Sequence, residues 1–229
     1  MPTPIWLRLE RTARATGRPA EWSREQIVDA AITVAERDGL AAVTTRRVAA
    51  ELGTGSASLY RHIANRADLL DLMVDTAFGP YRPPPVTGRW RDDLAAEVLH
   101  RVRYMRARPW LADAVLERPP TGPAALRLLE HTLEQLRDHP APGMAKLEAI
   151  GVISGLVHTY LHNERPGGGV LDPEFAKGRA EIFVRAAADG EHPRLAEVLS
   201  EASTARPESN DEQFARVVGL MLDGLLPEP

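Results

Sequence analysis

Apolar residues recur along the chain at spacings of three and four, and almost nowhere in strict alternation. That period belongs to helices with one buried face rather than to half-buried strands. Ile27, Ala31, Val34 and Ala35 form the first clear stripe. Ser23 precedes it, with Gln26 in the capping-box position, and Gly39 stands where a helix ends in left-handed backbone. A second helix is predicted from Thr44-Thr45 to about Leu52, with Val48 and Leu52 turned inward. Gly53 turns the chain, and a third helix is predicted from Ser56 through Ile63, held by Leu59 and Ile63 alone. Asn65 caps the next, Arg66 to Phe78, which carries Leu69, Leu70, Met73 and Val74.

Past the proline-rich break from Pro80 to Pro85 the same period continues. Trp90 to Arg108 places Leu94, Val98, Val102 and Met105 on one face, and Pro109 stops it. Glu117 to Pro123 reads as a loop. Ala124 to Leu136 carries Leu126, Leu129, Leu133 and Leu136. Met144 to His162 is apolar on several faces, as a helix buried on more than one side must be. A last helix, about Asp211 to Leu226, bears Phe214, Val217, Val218, Met221 and Leu225. The expected fold is all-α, in three parts: an N-terminal arm over residues 1–21, a helix-turn-helix domain over 22–70, and a larger helical domain over 71–229.

Charge sharpens this picture. The net charge is −4, so affinity for a polyanion must come from a local surface. Thr44 to Arg66 supplies one, with four arginines against the single acid Glu51. Arg46 and Arg47 sit in a first helical turn, where cations oppose the helix dipole, an arrangement that makes sense beside a polyanion. On the third helix everything except the two anchors is small, hydroxylic, aromatic or basic, which suits insertion into a major groove. The arm carries Arg8, Arg11, Arg14 and Arg18 against two acids. It reads either as a solvated tail with a short helix from Trp6 to Arg14, or as a basic segment reaching DNA near Gly17-Arg18-Pro19. The chain has no cysteine, which excludes disulfide scaffolds and thiolate chemistry. It shows no signal peptide and no apolar run long enough to span a bilayer, so a cytoplasmic protein without membrane partners is expected.

From Ser23 to Asp75 the sequence resembles the N-terminal domain of the tetracycline-repressor (TetR) family. The landmarks are Asp38-Gly39-Leu40, Thr44-Thr45-Arg46-Arg47-Val48-Ala49, Leu52-Gly53, Leu59-Tyr60-Arg61-His62, Asn65-Arg66 and Asp68-Leu69-Leu70. The resemblance implies that Thr44, Thr45 and Arg46 touch DNA from the second helix. It implies that Ser56, Ala57, Ser58 and Arg61 face the groove, and that Tyr60, His62 and Arg66 meet phosphate or flank the site. Thr44 also serves as an N-cap, and His62 also reads as a ring packed over the turn. Thr54 departs from the family, which often places a buried aliphatic residue there.

The larger domain resembles the C-terminal half of the tetracycline repressor, chiefly around Leu116-Glu117-Arg118-Pro119. That resemblance implies a homodimer built on two helices from each subunit, through Ile150, Ile153, Val157, Phe214, Val217, Val218, Met221 and Leu225; the other reading makes these monomer core. It also implies an effector pocket, with Tyr104, Trp110, His131, Leu156, His158, Tyr160 and His162 as candidate liners. His158 and His162 share a helical face, but no third ligand stands at a telling distance, so no metal and no cofactor are expected. The stretch Asp113 to Leu116 holds no histidine where the tetracycline repressor uses one for drug-bound magnesium, which puts tetracycline–magnesium recognition in doubt.

Catalytic signatures are missing: no nucleophile elbow, phosphate-binding glycine loop or metalloprotease helix is present, and Gly167-Gly168-Gly169 follows a helix instead of opening one. The expected function is a non-enzymatic, ligand-responsive repressor that binds a palindromic double-stranded operator as a homodimer and is released by a small molecule. The alternatives are an activator, or a helical ligand-binding or adaptor protein that recognises no operator.

Overall fold

The caps read from the sequence set the helix starts. Ser23 Oγ accepts from Gln26 N at 3.2 Å while Gln26 Oε1 accepts from Ser23 N at 2.8 Å, a reciprocal capping box. Thr44 accepts from Arg47 N, and Asn65 accepts from Asp68 N. A computed structural model describes residues 5–12, 22–165, 171–204 and 208–227. These form twelve α-helices and, among the described residues, no strand. They are α1 (Ile5–Thr12), α2 (Arg24–Asp38), α3 (Thr45–Glu51), α4 (Ser56–Leu59), α5 (Arg66–Phe78), α6 (Trp90–Arg106), α7 (Pro109–Glu117), α8 (Pro123–Gln135), α9 (Gly143–Asn163), α10 (Pro173–Ala188), α11 (Pro193–Thr204) and α12 (Asn210–Leu225), with a 3-10 turn at Leu40–Ala42 between α2 and α3.

Contacts divide the chain into two compact units, Met1–Asp93 with His100–Asp138, and Leu94–Leu99 with His139–Pro229. The boundary expected at residue 70 falls inside α5, which runs unbroken from Arg66 to Phe78. In the first unit α5 is the central element, packed by α2, α7 and α8. Nine of its thirteen residues are buried, among them Asp68 and Asp71. A helix touched on all sides leaves no wet face for its acids, so each must find a partner. Asp68 accepts from Ala64 N and pairs with Arg8 of α1. Asp71 is held by Arg118, and Asp75 accepts from Ala124 N at the start of α8.

Three differences from the sequence reading have physical causes. Pro109 does not merely stop α6; it occupies the first turn of α7, where its missing N–H costs nothing. α8 does not bury its leucine stripe evenly: Leu126 is 59% exposed, and the inward face is Ala124, Thr132, Gln135 and Leu136. The sequence reading passed over α10 and α11: α10 buries none of its residues, so burial periodicity could not delimit it, whereas α11 carries the spacing at Leu195, Val198, Leu199 and Ala202. Part of the basic arm is also a docked helix. Ile5 of α1 is 1% exposed, and Trp6 lies against Gly122. The Gly17-Arg18-Pro19 and Gly167–Gly169 segments lie outside the described residues.

Candidate functional site

α2, α3 and α4 close on one another through Ile27, Val34, Val48, Leu59 and Ile63, all buried. Gly53 takes φ +67°, a backbone that a side chain would strain, and so allows the tight turn between α3 and α4. Thr54 N donates to Ala49 O at 2.9 Å, and the Thr54 and Ser58 hydroxyls bond at 3.0 Å. The threonine that departs from the family pattern is thus satisfied by α4. That helix is shorter than the sequence suggests. His62 N and Ile63 N both donate to Leu59 O, at 2.8 and 3.0 Å, so the chain tightens into a turn after Leu59 and carries Ile63 into the core. Ser56, Ala57 and Ser58 remain on the helix, whereas Tyr60 and Arg61 project from the turn; Tyr60 is 55% exposed.

The charge of this surface is more selective than its arginine count. Arg47 donates to Asp38 at 3.0 Å, and Arg37 bridges Asp38 and Glu51 at 3.0 and 2.9 Å. These hydrogen bonds hold the Asp38 and Glu51 carboxyls below their ordinary range. Arg66, expected at phosphate, has its nitrogens committed inward: Nε to Val43 O at 2.9 Å, Nη2 to Leu40 O at 3.3 Å, and Nη1 to Glu117 at 2.5 Å. Its geometry makes it a tie between α5, the 3-10 turn and α7. His62 is half-buried, and burial, then Arg24 and Arg61, lower its imidazole pKa, so it is neutral at pH 7. Arg46 and Arg61 are exposed and have no ion-pair partner among the described residues. Thr44 and Arg46 stand exposed and Thr45 half-exposed at the start of α3. Two free guanidiniums, a projecting phenol, and hydroxyls at the starts of α3 and α4 can bind phosphates and read base edges.

The same unit contains a cavity of about 410 Å3, lined by Phe78, Tyr81, Arg82, Arg127, Leu128 and His131 among others. Of the expected pocket residues, His131 lines it. Tyr104 stands behind its wall, donating to Ala77 O at 2.5 Å and stacked on Phe78 at 6.2 Å. Trp110 is buried in α7.

A family model described as "Bacterial regulatory proteins, tetR family" matches residues 27–73, and one described as "Tetracyclin repressor-like, C-terminal domain" matches residues 82–228. The chain belongs to the TetR family. It is 33% identical over 209 residues to the HTH-type transcriptional repressor DrrR1 of Streptomyces coeruleorubidus, spanning 88% of this chain and 76% of that protein. Apo ActR of Streptomyces coelicolor superposes with a TM-score of 0.73 at 26% identity, over 91% of this chain and 97% of that one. The same holds for ActR in complex with actinorhodin, at TM-score 0.73 and 26% identity, over 90% and 98% of the two chains. This TetR-family chain is a DNA-binding transcriptional regulator and not an enzyme.

The second unit of the TetR-family chain pairs α9 with α12. Tyr160 stacks on Phe214 at 4.0 Å and donates to Asp211 at 2.8 Å; burial and that carboxylate raise its phenol pKa. Tyr160 is therefore a packing residue of the α9–α12 seam. Leu156 and His158 are half-buried on α9, and His162 is exposed. Ile153, Val157, Phe214 and Val218, expected between subunits, are buried within this one chain. Ile150, Val217, Met221 and Leu225 are half-exposed. The open faces lie elsewhere: Met144, Leu147 and Val152 with Gly151 and Gly155 on α9, and Leu220 with Gly224 on α12. Sequence reasoning missed the ties Asp71–Arg118, Arg66–Glu117 and Asp75–Ala124. Their one signal was acids at 68, 71 and 75 on an otherwise apolar helix. Among the described residues no helix is long and apolar enough to cross a membrane.

Proposed function

We propose that this regulator is a cytoplasmic homodimeric repressor whose two helix-turn-helix units bind a palindromic operator and let go when a small molecule enters the effector domain. The observation that carries the reading is the position of α5. Through Leu69, Leu70 and Met73 it seals the helix-turn-helix core, and through Asp71 and Asp75 it is fastened to Arg118 and Ala124 beside the cavity. An occupant that displaces α8 pulls on the same helix that seats α3 and α4. Coupling on the scale of about 1–3 kcal/mol is enough to lower operator affinity 5- to 150-fold.

On DNA, Arg46 and Arg61 contact phosphate or guanine, Ser56, Ala57 and Ser58 approach base edges, and Thr44, Thr45 and Tyr60 fix the register. Reading a palindrome requires two copies, one recognition helix for each half-site. The exposed Met144, Leu147, Val152 and Leu220 support a subunit interface on α9 and α12, and the exposed glycines beside them permit close backbone approach. A gel-shift on DNA upstream of the protein's own gene tests the proposal. A salt-sensitive complex with a short inverted repeat is expected, and binding to that DNA no tighter than to an unrelated duplex overturns it.

A further inference from the structure

The cavity beside the end of α5 has three kinds of wall. One is aromatic: Tyr81, 6% exposed, meets Phe78 edge-on at 6.0 Å, Tyr104 at 4.9 Å and His100 at 5.3 Å. The Tyr104 hydroxyl is spent on Ala77 O, so these rings are braced from behind. Phe78 and Tyr81 stand at 86° to each other and so form a rigid aromatic corner, against which a further ring can pack edge-on or offset.

The second wall is the inward face of α8. Ala124 and Leu128 leave room, and His131 follows. The His131 Nε2 is buried with no hydrogen-bond partner in the protein. A buried polar atom left unsatisfied is costly, so an occupant that reaches His131 Nε2 gains by satisfying it.

The third wall is cationic. Arg82 spends Nη1 on Gly79 O and Tyr81 O at 2.7 and 2.9 Å, which leaves its Nε and Nη2 for another acceptor. Among the described residues Arg127 has no ion pair and no carboxylate lines the cavity. The nearby Asp75, whose charge Arg127 favours, already accepts from Ala124 N.

We infer that this cavity takes a planar aromatic acid: its rings lie against Tyr81 and Phe78, its anionic group meets the guanidiniums of Arg127 and Arg82, and a carbonyl or hydroxyl reaches His131. This rests on the reading that the domain binds an effector, and it names the chemistry of that effector. The volume of about 410 Å3 is within the range of small-molecule sites and exceeds what a single ring would fill.

Calorimetric titration of the full-length protein with anthraquinone-2-carboxylate, its uncharged carboxamide and cyclohexanecarboxylate tests the assignment. A charge-assisted bidentate contact is worth about 10- to 100-fold in affinity. The acid is therefore expected to bind at least about 10-fold more tightly than the amide, and the non-aromatic acid more weakly than either. Arg127→Gln and Arg82→Gln should each lower affinity for the acid about 10-fold and leave the amide unchanged. Both residues are exposed, so folding is retained, which an unchanged thermal midpoint verifies. Equal affinity for acid and amide, an equal loss for both in the variants, or no binding of the acid overturns the inference. The gel-shift without any probe separates the two readings. Failure to bind operator sinks the regulator proposal, whereas operator binding with no preference for the acid sinks only this one.

Discussion

Arg118 grips Asp71 with two nearly equal hydrogen bonds, Nε to Oδ1 at 2.8 Å and Nη2 to Oδ2 at 2.7 Å, and so fastens the end of α7 to the middle of α5. The carboxylate is 6% exposed and the guanidinium 41%, so the acid is the partner that cannot do without the other. Arg118→Gln leaves a buried charge without its fork and is expected to cost about 1–3 kcal/mol of stability in urea denaturation. Asp71→Asn should cost less, and the double variant less than the two losses added. Strict additivity across that cycle would show that the pair is not coupled.

The division of labour among the arginines is measurable by salt. Removing one cation that neutralises a phosphate reduces the slope of log K against log salt concentration by about 1. Arg46→Ala and Arg61→Ala should each show that reduction together with weaker operator binding. Arg66→Ala should leave the slope unchanged and instead destabilise the fold, because its nitrogens hold Val43, Leu40 and Glu117. A lowered slope for Arg66→Ala with undiminished stability would return that residue to the phosphate backbone.

Asp75 has a pH signature. Burial raises its carboxyl above the ordinary 3.8, against the opposing hydrogen bond from Ala124 N and the charge of Arg127. The folded chain therefore keeps this proton to a higher pH than the unfolded chain does. The stability this provides is fully present below the unfolded value and is lost as pH rises through the folded one. Asp75→Asn, whose amide oxygen still accepts from Ala124 N, should be the more stable form at pH 7. Its advantage should shrink as pH falls towards 4, read from denaturation midpoints across that range. An advantage that grows on acidification would reverse the sign of the burial effect.

Gly122 is a test of close packing. A methyl group there would collide with the Asp75 carboxylate and stand 2.6 Å from the Trp6 ring. Gly122→Ala should destabilise the first unit by about 1–3 kcal/mol, as overpacking does. It should also loosen α1, seen as faster proteolysis near its arginines. Unchanged stability and unchanged cleavage would mean that this seat has slack.

At the subunit interface proposed on α9 and α12, Val152→Glu and Leu220→Glu place charges on exposed apolar faces without touching the chain's own core. The expected result is a monomer in light scattering, with helical content retained and operator affinity reduced.

Local grammar carried most of what the sequence revealed. Ser23, Thr44, Asn65 and Gly53 each act within four residues of themselves, so caps and turn were legible, and with them the helix-turn-helix. Periodicity found Leu94, Val98, Val102 and Met105, all buried. It failed where a helix faces something other than a leucine core. On α8 it chose Leu126, which is exposed, and passed over Gln135, which is buried, because a buried polar residue has no apolar signature. Long-range pairing was invisible for a different reason. Whether Arg66 faces DNA or Glu117 depends on a partner 51 positions away, and nothing in the neighbouring residues encodes that choice. The α9 and α12 stripes were real, but period alone does not distinguish a seam within one chain from a seam between two.

The seat of α1 has a consequence for how the chain is made. Trp6 rests against Gly122, 116 positions further on, and Arg8 pairs with Asp68. Synthesis delivers α1 before either partner exists, so it must wait for α5 and the turn before α8. Contacts of such wide sequence separation form late and slowly. Until then Ile5 and Trp6 are bare apolar surface on a nascent chain, and the interval before docking is when this regulator is most open to chaperones, to proteases and to its own unfinished copies.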